Sequence, residues 1–174
     1  DSVPCYNTSG GFLHTPTEQL LVNAAASIER GIGGIKLKVG QPDGRLDLAR
    51  LQAVRTHLGE GVAIMVDANQ QWDRPTAQRM CRAFEPFNLV WIEEPLDAYD
   101  HEGHAALAQA FDTPIATGEM LTSAAEHMDL IRHRAADFLM PDAPRLGGIT
   151  PYLKVAAQAD HAGLLVAPHF AMEL

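Results

Sequence analysis

The sequence predicts an α/β protein whose parallel sheet curves into a barrel, and three observations lead there. Short apolar runs alternate with stretches of helical spacing along the whole chain. The runs are apolar throughout, as strands covered on both faces are. From the second run onward, ionisable residues stand at the C-terminal end: Lys36 and Lys38, Asp67, Glu93, Glu119, Asp142 and His169, recurring every 23 to 29 residues. A ring of strand ends around one site requires such a series, because barrel sites lie at the C-terminal face. A doubly wound sheet would gather its site at one switch point instead, so the barrel is preferred.

Taken in order, the strands are expected at SVPCYNTSG (2–10), GIKLKV (34–39), VAIMVDAN (62–69), LVWIEEP (89–95), TPIATGE (113–119), DFLMPDA (137–143) and LLVAPHF (164–170). Each is bounded by Gly, Pro or Asp. Helical spacing fills 17–30, 46–58, 75–84, 104–111, 123–133 and 150–162. Pro75 suits the first turn of its helix, Thr122 or Ser123 a cap, and Gly59 and Gly163 the positions where helices stop. GIGG (31–34) precedes a strand instead of following one, so it is no dinucleotide fingerprint.

At 174 residues the chain can bury a core as one domain over 1–174, yet it is shorter than the roughly 250 residues of a complete eight-stranded barrel. Its 47% apolar and 20% charged residues describe a globular chain. The net charge of −9, without any run of Lys and Arg, argues against nucleic acid as a partner. No apolar stretch approaches about 18 residues, and DSVPCYNTSG has neither a basic nor an apolar leader region. No membrane partner and a cytoplasmic location are therefore expected. Cys5 and Cys81 lack metal-ligand spacing and are expected to be reduced structural thiols.

Asp67, Glu93 and Glu119 end three successive strands, which in a barrel brings three anions to neighbouring rim positions. Any one alone could be an ordinary cap or loop carboxylate. Three together would repel and raise each other's pKa values, and a hard divalent cation relieves this, since Mg²⁺ takes oxygen ligands and leaves positions for water and substrate. Glu94 should point outward from the barrel. Asn69, two residues past Asp67, shares its direction and is a candidate to bind a substrate oxygen, or a loop residue bonding its own backbone.

Lys36 and Lys38 share one face of a strand. They either snorkel to solvent or face the carboxylates. In the second case Lys36 would depress the pKa of Lys38 towards the range of a useful base while holding a substrate carboxylate. Asp142 and His169 end successive strands, so the carboxylate can orient the imidazole and raise its basicity. The other histidines, His14, His57, His101, His104, His127, His133 and His161, are expected to be structural. His101 and His104, at i and i+3, could form a metal-binding helix face, but no third ligand accompanies them.

The K-x-K at Lys36 and Lys38, VDAN, WIEEP, TGE, PDA and PH occur in an order that resembles the enolase superfamily, mandelate racemase subgroup. Longer stretches, among them YNTSGGF, GIGGIKLKVGQP, VDANQQWD, IATGEMLTS, PDAPRLGGITPYLK and APHFAMEL, are similar to acid-sugar dehydratases of that group. The resemblance implies a modified (β/α)7β barrel, here without its last strand and the N-terminal capping domain. It implies Mg²⁺ on Asp67, Glu93 and Glu119. Lys38 would be one acid/base, His169 supported by Asp142 the other, and Lys36 would stabilise charge on the substrate. The implied reaction takes the proton alpha to a carboxylate through an ene-diolate and eliminates the β-hydroxyl, giving a deoxy-keto acid from a small-molecule acid sugar. A homo-oligomer is expected by the same resemblance. Alternatives are a racemase or epimerase of a 2-hydroxy acid, and a catalytically silent barrel fragment.

Overall fold

The computed structural model describes residues 4–8 and 11–169. Of the expected runs, residues 2–3, 9–10 and 170–174 lie outside the described residues. The chain order is α1 (Thr17–Glu29), β1 (Gly34–Lys38), α2 (Gly44–Leu58), β2 (Ala63–Asp67), α3 (Arg74–Phe84), β3 (Ile92–Glu93), α4 (His101–Ala110), β4 (Ile115–Thr117), α5 (Ala124–Arg132), β5 (Phe138–Leu139), α6 (Ile149–His161) and β6 (Leu165–Val166). The six strands form one sheet in sequential order, every pair parallel. Sequential order without a reversal has no switch point, so it excludes the doubly wound alternative and gives part of a TIM-type barrel. No helix among the described residues is long and apolar enough to cross a membrane.

The first expected strand is reduced, in its described residues 4–8, to a parallel contact with β1. Its described residues make one bridge, Asn7 to Ile35, with Asn7 N–H donating to the Gly34 carbonyl and Lys36 N–H to that of Asn7. A single bridge lies beside β1 without extending the ladder. The helices fall where their spacing placed them, with local chemistry at their ends. Ser123 and Glu126 form a reciprocal capping box, Asp43, Asp73 and Asp100 cap α2, α3 and α4, and Pro75 sits in the first turn of α3. Gly59 stops α2 at φ 78°, where a side chain would be strained.

The strands have two different faces. Outward, Ile35, Leu37, Ile64, Val66, Ile92 and Ile115 pack under α1 to α4, and Leu139 packs with Leu121, Leu130, Leu146 and Val155 near α5 and α6. Inward, Met65, Trp91, Ala116 and Met140 form a third apolar layer, joined by Tyr6 and Phe138. On β1 the inward positions carry Lys36 and Lys38, which are level with Met65 and Asp67 of β2. Both cysteines are free, Cys5 exposed and Cys81 buried; burial pushes the Cys81 thiol up to about 12, so it is an inert core group.

His104 and His127 bear out their structural assignment. Each is fully buried, and each Nδ1 donates to the carbonyl four residues earlier, Asp100 at 3.0 Å and Ser123 at 2.9 Å. Burial lowers both below the ordinary histidine pKa, so the folded protein holds them neutral while the unfolded chain protonates them. Their contribution to stability is thus present above about pH 6.5 and is lost as pH falls, by up to about 1.4 kcal/mol per pH unit for each. We expect urea unfolding at pH 7.5 and 5.5 to show this loss, and a shallower dependence in the His104→Gln/His127→Gln variant; equal slopes would contradict the neutral, buried state.

Candidate functional site

Parallel register assembles the charged layer. Lys38 pairs with Asp67 across β1 and β2, and Asp67 with Glu93 across β2 and β3, so three strand ends deliver their side chains at one level of the inner face. Lys36 Nζ lies 2.5 Å from Glu93 Oε2 and 3.5 Å from Asp67 Oδ2, and Lys38 Nζ lies 2.5 Å from the same Asp67 oxygen. Lys36, Asp67 and Glu93 are buried. The lysines therefore face the carboxylates and do not snorkel.

Burial disfavours the Lys36 charge, but Glu93 and Asp67 outweigh it and raise its pKa above the ordinary lysine value. Lys36 is thus a fixed cation matched to two anions. Glu93 is pushed up, first by burial and then by Asp67, with Lys36 opposing. Beneath this layer lies an apolar floor: Tyr6 sits under Lys36 with its ring centroid 5.6 Å from Nζ, and Trp91 packs edge-on to Tyr6 and donates Nε1–H to Glu93 Oε2 at 3.2 Å. A cavity of about 400 Å³ opens against Tyr6, Met65, Trp91 and Phe138, on the floor side and away from the ionisable groups.

A second cluster stands further along the sheet. Asp142 and His169 meet as their spacing predicts, Oδ2 to Nδ1 at 2.7 Å. His169 Nε2 also lies 3.1 Å from Glu119 Oε2, a contact the sequence did not suggest. Burial works against the Asp142 charge, but the Arg145 backbone N–H and His169 outweigh it and hold the carboxyl below its usual range. Glu119 reaches this position because Gly118 turns the chain at φ 127°; a Cβ there would meet Met140 N at 3.4 Å.

Two residues depart from strand alternation. Glu94 is buried, not outward, because the strand ends at Glu93 and the chain turns left-handed at φ 39°. Its backbone N–H donates to Ala116, and its Oε2 accepts from Gln70 Nε2 at 2.9 Å. Burial and Glu119 raise it to about 7. Asn69 is exposed at φ 43°, with its backbone N–H on Asp67 Oδ1 at 2.9 Å, so its side chain leaves the direction that alternation predicted. Neighbouring Gln70 is also left-handed, and such strain gathers at functional sites. Tyr6, Trp91, Gln70 and Glu94 are the site neighbours that pattern reading missed; the doubled EE was the one available signal.

His101 and His104 do not share a metal-binding face. His104 turns into the core, whereas His101 meets Asp129 and His133 of the next helical segment. Spacing along a single helix could not reveal partners from its neighbour.

The Lys36 network yields a prediction. Lys36→Met leaves Glu93 and Asp67 short of their buried cation and is expected to cost about 3–5 kcal/mol in urea unfolding, with part recovered by Lys36→Met/Glu93→Gln. No recovery in the double variant would mean that the pair is not energetically coupled.

The model of the enolase C-terminal domain-like family matches residues 19–174. Over all 174 residues the chain is 66% identical to L-talarate/galactarate dehydratase of Salmonella typhimurium, covering 100% of this chain and 44% of that protein. It is 32% identical to N-succinyl-L-Arg/Lys racemase of Bacillus cereus, covering 92% of this chain and 47% of that protein. The solved structure of L-talarate dehydratase from Polaromonas sp. JS666, complexed with Mg and L-glucarate, superposes with a TM-score of 0.97 at 84% identity, covering 100% of this chain and 49% of that one. The chain spans about half the length of the relatives it matches.

Proposed function

The chain belongs to the enolase C-terminal domain-like family of the enolase superfamily, in its mandelate racemase and muconate lactonizing branch, and from that premise we propose that it carries the catalytic barrel face of a Mg²⁺-dependent acid-sugar dehydratase of the L-talarate/galactarate type. The observation that supports this most strongly is the coexistence of two acid/base candidates, Lys38 and His169, at opposite ends of an arc of carboxylates at strand ends.

The donor types suit a hard divalent cation, with Asp67 and Glu93 together and Glu119 standing against His169 in this structure. Asp67, Glu93 and Glu119 supply only oxygens, and Glu93 Oε1 is buried without a hydrogen-bond partner among the described residues. When bound there, Mg²⁺ would supply a Lewis acid for the substrate carboxylate. Lys36, held charged beside Glu93, adds a fixed positive field where the substrate's negative charge builds. Lys38 Nζ is placed to take or return the proton alpha to that carboxylate. His169 works from the other end of the arc, with Asp142 on Nδ1 directing Nε2 towards the site. One of the pair removes the α-proton and the other protonates the departing β-hydroxyl, which leaves as water. The enol so formed takes up a proton to become a 3-deoxy-2-keto acid. Asn69, exposed just past β2, is the proposed contact for a substrate oxygen, a role that its left-handed backbone does not itself support.

A second reading has its own support. Two bases flanking one carbon also serve a racemase, and one relative is a racemase. In the full-length protein, Mg²⁺ with galactarate or L-talarate in D₂O should give keto acid by NMR. Lys38→Ala and His169→Asn should each lower the rate by roughly 10²-fold or more. Deuterium exchange without keto acid would favour the racemase, and inactivity on all hexarates would overturn the dehydratase. Separately, Mg²⁺ should raise the melting temperature, and Glu93→Gln should abolish the rise.

A further inference from the structure

We propose that His101, Asp129 and His133 form a second metal site, for a borderline transition-metal ion of the zinc class, which links α4 to the end of α5. One potential ligand atom from each of the three lies within 4.8 Å of the other two, and among the described residues these three alone form such a group. The site is separate from the carboxylate arc and does not rest on the reaction proposed for it.

The Asp129 carboxylate stands between the imidazoles. Its Oδ2 is 3.2 Å from His101 Nδ1, and its Oδ1 is 3.8 Å from His133 Nδ1. Two ligand atoms on one tetrahedral Zn²⁺, with bonds of about 2.1 Å, lie roughly 3.4 Å apart, so the first contact already has the required spacing. No lysine or arginine among the described residues forms an ion pair with Asp129, whose side-chain partners are the two imidazoles. The rings lie 5.6 Å apart, centroid to centroid, and are inclined at 54°.

Independent support comes from His101 itself. Its side chain is only 12% exposed, and the nitrogen it turns towards Asp129 is Nδ1, 3.2 Å from Oδ2, so a half-enclosed imidazole already faces the carboxylate. His133 is 43% exposed; its Nδ1 donates to the Asp129 carbonyl at 2.9 Å, which leaves Nε2 as the nitrogen with a lone pair for a metal. A metal can therefore reach one half-enclosed and two accessible ligands and complete its shell with water. Two imidazoles and one carboxylate suit Zn²⁺ and its neighbours and are a poor match for Mg²⁺, which takes oxygen ligands and keeps its waters.

That difference in donor chemistry provides the test. Zn²⁺ is titrated into the full-length protein against a chromophoric chelator, with Mg²⁺ saturating. The wild type should bind one Zn²⁺ per chain that His133→Gln and Asp129→Asn each bind at least about tenfold more weakly. Both substitutions are at exposed side chains and should leave the metal-free melting temperature unchanged. Zn²⁺ at about 100 times its Kd should raise the wild-type melting temperature by roughly 5 °C and leave the variants unmoved. Equal Zn²⁺ binding in wild type and variants, or none in any, would overturn the proposal.

Discussion

Charge balance on the inner face of β1 to β3 is the constraint from which the rest of the structure follows. Two ammonium groups and two carboxylates occupy positions that in an ordinary barrel interior would hold Val, Ile or Leu. None of the four could be buried alone, since an isolated charge in such a place costs several kcal/mol, yet together they compensate. Parallel register enforces the match: Lys38 faces Asp67 and Asp67 faces Glu93 only if no strand slips by one residue. The apolar outer faces secure that register, because a slip would turn Ile35, Leu37, Ile64 and Val66 inward and the charges towards the helices.

Around this layer the backbone gives up regularity where the side chains need aiming. Asn69, Gln70 and Glu94 take left-handed conformations just past the ends of β2 and β3, and Gly118 does so past β4. The turns tie neighbouring loops to one another, Gln70 to Glu94 through both backbone and side chain. The aromatic floor of Tyr6 and Trp91 excludes water from one side, which strengthens every interaction in the charged layer and raises Glu93. Strain above and an apolar floor below thus serve the same purpose, a fixed field at the strand ends.

Histidine shows how far residue type falls short of function. His104 and His127 are neutral core groups, each tied to a carbonyl of its own helix. His169 lies between two carboxylates of different strand ends. His101, at the first turn of the same helix as His104, reaches out to the neighbouring helix. Spacing identified the pair of His169 with Asp142 because each follows its strand by three residues, and the loops after neighbouring strands converge. It missed the His101 group because its members come from two helices whose lateral packing leaves no periodic trace.

The sequence by itself determined the order of elements, the helix caps, the apolar outer faces and the ionisable residues at or just past each strand end. All of these rest on local rules: periodicity, side-chain caps and alternation within one segment. Tertiary structure alone decided that Asn7 of the first run would bridge to β1, that Glu94 would turn inward, that Lys36 would be held charged by Glu93, and that Glu119 would touch His169. Each depends on groups at least twenty residues apart being brought into contact, and the energy of such a contact is set by burial and by the opposing charge, which no single segment contains.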